Sequence, residues 1–235
     1  FENPFGIISP HAGYVYSGKT AAYAYNTIRG KNFSTVVIIS PSHREYFPGV
    51  SIYSGDAYQT PLGDVPLNKE MISKLSESSK VIFESVNGHR SEHAVEVQIP
   101  FLQMVLKDFQ IVPIVVGDQR KNFVYELAKK LAAVADENTL VVASSDLSHF
   151  HTKQEADILD SIVEKRIITF EHEKLLQELE TEKCEACGGG PIVALMKAAE
   201  LCRKTKSKIL PRSDSGDITG DNSEVVGYLS AIIYS

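Results

Sequence analysis

Three short apolar runs, each followed within a few residues by a histidine, constrain this chain more than any other feature of its sequence. The histidines are His11, His43 and His149. Runs rich in β-branched residues are typical of parallel strands that are buried on both faces. In open α/β sheets, ligands bind at the turns that leave the carboxyl ends of such strands. We therefore predict that the three imidazoles converge on one point.

Strand and helix patterns alternate along the whole chain, which indicates an α/β fold with a mainly parallel or mixed sheet flanked by helices. Pro100 interrupts the apolar segment 94–106, so the helix expected there should kink or split. Residues 50–67 are predicted to form a small β excursion off the main sheet. No linker and no further repeat divides the 235 residues, so a single domain over 1–235 is expected.

Composition and charge exclude several classes of protein. The net charge is −6 and no basic stripe is present, which argues against a nucleic-acid partner. No apolar run approaches the roughly 20 residues that a membrane span needs. The three cysteines, Cys184, Cys187 and Cys202, are too few for a secreted disulfide scaffold, and no signal peptide is visible. We expect a protein of the reducing cytoplasm.

The three histidines and Cys187 are candidate metal ligands. Neutral imidazole is the commonest metal ligand in proteins, and three protein ligands leave a position open for substrate. Cys187 precedes three glycines and Pro191, a pattern typical of a helix start. There the helix dipole is expected to lower the pKa of the thiol. Mixed imidazole and thiolate ligation fits iron(II), copper or zinc, and these residues alone do not choose among them.

Two further residues are candidates for proton transfer or ligand orientation. Asp146 follows the third strand and would orient an imidazole, act as a ligand itself, or serve only the turn. His93 lies near a predicted helix start and is either a general acid/base or a first-turn residue. Cys184 is interpreted as a coincidental neighbour of a functional Cys187. The acidic segment 214–222 is interpreted as a solvated loop, because its spacing does not match a calcium loop.

In their order along the chain, these motifs resemble the Memo family, in the prokaryotic branch called AmmeMemoRadiSam system protein B. The segments that carry the resemblance span nearly the whole chain. They are residues 10–18, 41–43, 60–63, 92–101, 144–149, 187–188 and 215–221.

The resemblance implies a fold like that of the class III extradiol dioxygenases, which cleave catechol rings with non-haem iron(II). It also implies that His11, His43 and His149 are metal-site histidines, with Cys187 beside them. Those dioxygenases use two histidines and a glutamate, so the third histidine and the cysteine of this chain argue against catechol cleavage. The name of the branch implies an association with radical SAM and AMMECR-type protein partners.

Two functions of different class follow. As an enzyme, the protein would hold a divalent metal, iron(II) before copper or zinc, and use O2 against a small molecule. Cys187 would then act as a ligand or redox group, while His93 and Asp146 would move protons or orient ligands. As a binding module, the same cleft would carry a metal or grip a peptide or partner protein without turnover. A hydrolytic zinc enzyme is a third, weaker hypothesis.

Overall fold

A nine-stranded mixed sheet forms the centre of the molecule in the computed structural model, which describes residues 1–235. Two further strands form a separate hairpin. In chain order the strands are β1 (Gly6–Ser9), β2 (Thr35–Pro41), β3 (Val50–Tyr53), β4 (Ala57–Thr60), β5 (Gly63–Pro66), β6 (Ile82–Ser85), β7 (Gln110–Val116), β8 (Thr139–Ser144), β9 (His149–His151), β10 (Lys206–Asp214) and β11 (Val225–Tyr234).

Eight helices flank the sheet or cap its edges. They are α1 (Tyr14–Asn26), α2 (Lys69–Ser76), α3 (Ile99–Val105), α4 (Lys121–Val134), α5 (Lys153–Ile168), α6 (His172–Glu180), α7 (Gly189–Leu201) and the single turn α8 (Gly216–Thr219). A 3-10 turn, Glu96–Gln98, leads into α3. None of the helices combines the length and the apolar composition that crossing a membrane requires.

The strand order in the sheet is β10-β11-β1-β8-β2-β7-β3-β6, with β9 paired to β11. Strands β1, β8, β2 and β7 run parallel to one another, and nearly all of their residues are buried. Strands buried on both faces explain the continuous apolar runs of the sequence. The prediction of an α/β fold with a mixed sheet flanked by helices is confirmed.

Two local predictions have different outcomes. Pro100 lies in the first turn of α3, directly after the 3-10 turn, so the predicted split of segment 94–106 is confirmed. The prediction that all of 50–67 leaves the main sheet is wrong. Strand β3 pairs with β7 and β6 inside that sheet, and only the hairpin of β4 and β5 stands apart.

The acidic segment 214–222 is less solvated than predicted. Asp214 is buried at the end of β10 and forms an ion pair with Lys153, and helix α8 lies within the segment. The ion pair with Lys153 explains why the Asp214 carboxylate can be buried, since charged side chains are rarely buried without a partner.

Candidate functional site

Three imidazoles meet at the carboxyl edge of the central strands. Because β1 pairs with β8 and β8 pairs with β2, all in parallel, the residues that follow these strands are neighbours in space. His11 follows β1 and His43 follows β2. The third imidazole is His93, which precedes the 3-10 turn. The ring centroids lie 5.1 Å apart for His11 and His43, 5.7 Å for His11 and His93, and 5.4 Å for His43 and His93. We call these three residues the histidine cluster.

Cys187 closes the histidine cluster from the side of α7. Its Sγ lies 3.2 Å from Nε2 of His11, and one donor atom each from His11, His43 and Cys187 lie within 4.8 Å of one another. The next residue, Gly188, packs so tightly that a Cβ there would lie 2.2 Å from the carbonyl oxygen of Ser144. Glycine at 188 therefore allows the cysteine loop to approach the strand ends.

His11 is buried, and neighbouring loops hold it in place. Its backbone N–H donates to Oδ1 of Asp146 at 2.8 Å, and its ring Nδ1 lies 2.9 Å from Oγ of Ser144. Asp146 also accepts from the backbone N–H of Ala12. Burial lowers the pKa of His11 to about 4, so the ring is neutral at neutral pH. A neutral imidazole is the form that binds a metal ion. Of the roles predicted for Asp146, these contacts favour orientation of His11.

His43 is held by a carboxylate to which the sequence interpretation gave no role. Nδ1 of His43 lies 2.9 Å from Oε1 of Glu92, and its backbone N–H donates to Oε2 at 2.7 Å. Glu92 also accepts from the backbone N–H groups of His93 and Ala94. Burial raises the pKa of Glu92, but these hydrogen bonds outweigh it and lower the pKa to about 2. The sequence signals were a glutamate directly before a candidate histidine and its place in segment 92–101, which carries the family resemblance.

The thiol of Cys187 differs from the prediction. Burial, together with the negative charge of Asp146, raises the pKa of Cys187 to about 12. The predicted lowering by the helix dipole is therefore wrong. Cys187 directly precedes Gly188, the N-cap of α7. Loss of water around the thiol raises its pKa by more than the helix end and the backbone N–H of Asp146, 3.3 Å from Sγ, lower it. The thiol is protonated at neutral pH unless a cation displaces the proton.

The structure places His149 outside the histidine cluster. Its Nδ1 lies 2.8 Å from the carbonyl oxygen of Leu147 in its own loop. The side chain lines an adjoining cavity of about 500 Å³, which Cys187 and the buried Cys184 also line. Cys187 thus borders both the histidine cluster and this cavity. The convergence predicted for His11, His43 and His149 is found for the first two only, and the third imidazole beside them is His93.

Comparisons with known proteins agree with this architecture. A family model described as "Memo-like protein" matches residues 1–232. The MEMO1 family protein TV1383 of Thermoplasma volcanium is 37% identical over 230 residues, which cover 97% of this chain and 85% of the relative. The MEMO1 family protein MJ0403 of Methanocaldococcus jannaschii is 37% identical over 244 residues, which cover 99% of this chain and 85% of the relative. The crystal structure of the uncharacterized protein JW3007 from Escherichia coli K12 superimposes with a TM-score of 0.63, covering 97% of this chain and 98% of that chain. At 14% identity this likeness concerns the fold alone.

Proposed function

This chain belongs to the Memo family, and from that membership and its geometry we propose that it binds a divalent transition metal through His11, His43 and Cys187. The observation that carries the proposal is that the three donor atoms, from three separate segments, lie within 4.8 Å of one another. Imidazole and thiolate donor atoms lie about 2.0–2.3 Å from an ion that they bind. Donor atoms that share one ion are therefore expected within a few Å of one another, as these three are.

The chemistry of the donor set also supports the proposal. His11 is neutral at neutral pH, and Glu92 accepts at Nδ1 of His43, which leaves Nε2 of that ring available. Two imidazoles and a thiolate suit iron(II), copper or zinc. We place iron(II) first because the family resemblance of the sequence implies a fold like that of the non-haem iron dioxygenases. Because the Cys187 thiol is protonated without metal, binding is expected to release a proton from it.

We further propose that the loaded protein oxidises a small molecule. A bound iron(II) ion would supply the O2 chemistry that such an oxidation requires. The ring of His93 stacks on His43 and is about half exposed, so it can exchange a proton with a substrate at a ring nitrogen. The cavity of about 500 Å³ beside Cys187 has the volume of a small-molecule site. Asp146 holds His11 in place by accepting a hydrogen bond from the backbone N–H of His11.

Metal content tests the proposed ligand set. Protein stripped with a chelator is reconstituted anaerobically with iron(II), desalted, and measured by mass spectrometry. We expect stoichiometric iron in the parent protein and its loss in His43→Ala and Cys187→Ser. His149→Ala is the matched control, because it removes an imidazole next to Cys187 that lies outside the histidine cluster. Circular dichroism checks that every variant is folded.

Two outcomes would reject this ligand set. The first is full iron occupancy in folded His43→Ala and Cys187→Ser. The second is loss of iron from His149→Ala alone, which would favour the histidine set expected from the sequence. Oxygen uptake by the iron-loaded protein with candidate small molecules then separates an enzyme from a carrier, since a carrier binds the same ion without consuming O2.

A further inference from the structure

A buried hydrogen-bond network lies beneath the histidine cluster and ends on His11. Gln98, from the 3-10 turn, and Ser144, the last residue of β8, are both fully buried. Oγ of Ser144 lies 2.9 Å from Nδ1 of His11, 2.8 Å from Nε2 of Gln98 and 2.7 Å from the carbonyl oxygen of Ala94. One hydroxyl group therefore has three polar partners.

The orientation of the Gln98 amide follows from its other partners. Its Nε2 also lies 3.0 Å from the carbonyl oxygen of Pro10, which can only accept a hydrogen bond. Its Oε1 accepts from the hydroxyl of the buried Tyr25 at 2.6 Å. The NH2 group of Gln98 must therefore face Ser144 and donate to its oxygen.

The proton count at Ser144 then determines the state of the histidine. A serine hydroxyl has one proton to donate and two lone pairs. The carbonyl of Ala94 can only accept, so the single proton goes there, and Gln98 fills one lone pair. The remaining lone pair needs a donor, and Nδ1 of His11 is the group that faces it. The opposite arrangement would leave the carbonyl of Ala94, a fully buried residue, without this donor.

We propose that Ser144 and Gln98 are positioning residues that fix His11 as its Nδ1-protonated tautomer, with an unprotonated Nε2 facing Cys187. Glu92 does the same for His43 by a different route, because its carboxylate accepts at Nδ1. Neither Ser144 nor Gln98 is among the proposed metal ligands. Two imidazoles from different loops thereby turn the same kind of nitrogen, Nε2, toward the proposed metal position.

The tautomer is a property of the metal-free chain. Only its consequence for affinity rests on the proposed function, since a proton on Nε2 of His11 would occupy the lone pair that a metal ion needs. The two proposals can therefore fail separately.

Nitrogen NMR of the metal-free protein tests the tautomer directly. With 15N-labelled histidine at pH 7.5, long-range proton–nitrogen correlation spectra show which ring nitrogen carries the proton. We expect protonated Nδ1 and unprotonated Nε2 for His11 in the parent protein. In Ser144→Ala the acceptor at Nδ1 is gone, so we expect the proton to move to Nε2, which faces Sγ of Cys187 at 3.2 Å and Oδ2 of Asp146 at 3.9 Å. Ser144→Thr restores the hydroxyl and should restore the parent spectrum.

Ser40→Ala is the matched control. Ser40 is a fully buried serine near the end of β2 whose hydroxyl bonds only to the carbonyl oxygens of Pro41 and Ile114. Its removal should leave the His11 spectrum unchanged. Gln98→Met removes the donor that orients the Ser144 hydroxyl. The hydroxyl proton can then turn from the carbonyl of Ala94 toward Nδ1 of His11, so we expect a mixture of the two tautomers.

Several results would overturn the proposal. A protonated Nε2 on His11 in the parent protein does so without any variant having to fold. A folded Ser144→Ala whose His11 still matches the parent spectrum does so as well. If the tautomer is as expected but iron does not bind, the proposed function fails and the positioning role stands. If iron binds stoichiometrically, Ser144→Ala should weaken binding by about 10–100-fold and Ser40→Ala should not.

Discussion

The loops that carry His43 and His149 follow neighbouring parallel strands, β2 and β8, yet their imidazoles go to different places. Nδ1 of His43 bonds to Glu92, a residue from a distant segment, and the ring joins the histidine cluster. Nδ1 of His149 bonds to the carbonyl of Leu147 in its own loop, and the ring lines the cavity behind Cys187. A strand end places a residue, but the partner of the ring decides which way the imidazole faces.

The two loops also differ in what holds them. Glu92 is buried and accepts four hydrogen bonds around the His43 loop. Glu185, the carboxylate beside the His149 loop, is 40% exposed and makes its short contacts to His151. Charge-assisted hydrogen bonds in a buried site are much harder to replace than exposed ones. We therefore expect removal of Glu92 to disturb the His43 loop more than removal of Glu185 disturbs the His149 segment, which the pairing of β9 with β11 and the buried Asp160 also hold.

Removing Glu92 or Glu185 should give the largest difference, which is in the free energy of unfolding. Glu92→Ala leaves the ring and backbone N–H of His43 and two further backbone N–H groups without their acceptor. We expect it to lower the free energy of unfolding by about 3 kcal/mol or more. Glu185→Ala should cost roughly 0–1 kcal/mol, because its ion pair is solvent-exposed. Urea unfolding of both variants measures the two costs. Equal costs would mean that Glu92 does not hold its loop more strongly than Glu185 does.

Acid is a second way to weaken the His43 loop. The pKa of Glu92 falls from its ordinary value of 4.5 to about 2 in the folded chain, since its hydrogen bonds outweigh the effect of burial. Its contribution to stability is complete above pH 4.5 and is lost as the pH falls through 2. Glu92→Gln lacks this contribution at every pH. The stability gap between parent and Glu92→Gln should therefore shrink by roughly 1–2 kcal/mol between pH 7 and pH 3.5. An unchanged gap over that range would contradict the assigned pKa.

The parts of the site that follow from local patterns were predictable from the sequence. Buried parallel strands leave continuous β-branched runs, and their carboxyl ends share one edge, so His11 and His43 were expected to meet. A cysteine before a glycine-rich helix start was expected nearby. The structure brings His11, His43 and Cys187 together.

The remaining features depend on contacts between distant segments. His93 follows no strand, and it reaches the cluster because its segment packs across the strand ends. Strand β3 has four residues, and its place in the sheet is set by its pairing with β7 rather than by its own pattern. The thiol pKa of Cys187 depends on its burial, which a helix-start motif does not contain.

The smallest expected effect concerns backbone strain in β9, the short strand that carries His149. Phe150 lies between His149 and His151, adopts a φ of 61°, and is 71% exposed, so its ring gains little from packing. A bulky residue in this left-handed region costs about 1–2 kcal/mol, a penalty that glycine does not carry. Phe150→Ala keeps a Cβ and hence the strain, whereas Phe150→Gly removes it. After allowing for the larger unfolded-state entropy of glycine, we expect Phe150→Gly to be more stable than Phe150→Ala by up to about 1 kcal/mol in thermal or urea unfolding. No non-glycine residue of the His43 loop has a positive φ, so a glycine substitution there would relieve no such strain. If Phe150→Gly is the less stable of the two, the left-handed conformation imposes no net strain on this loop, and the loops then differ only in the partners of their imidazoles.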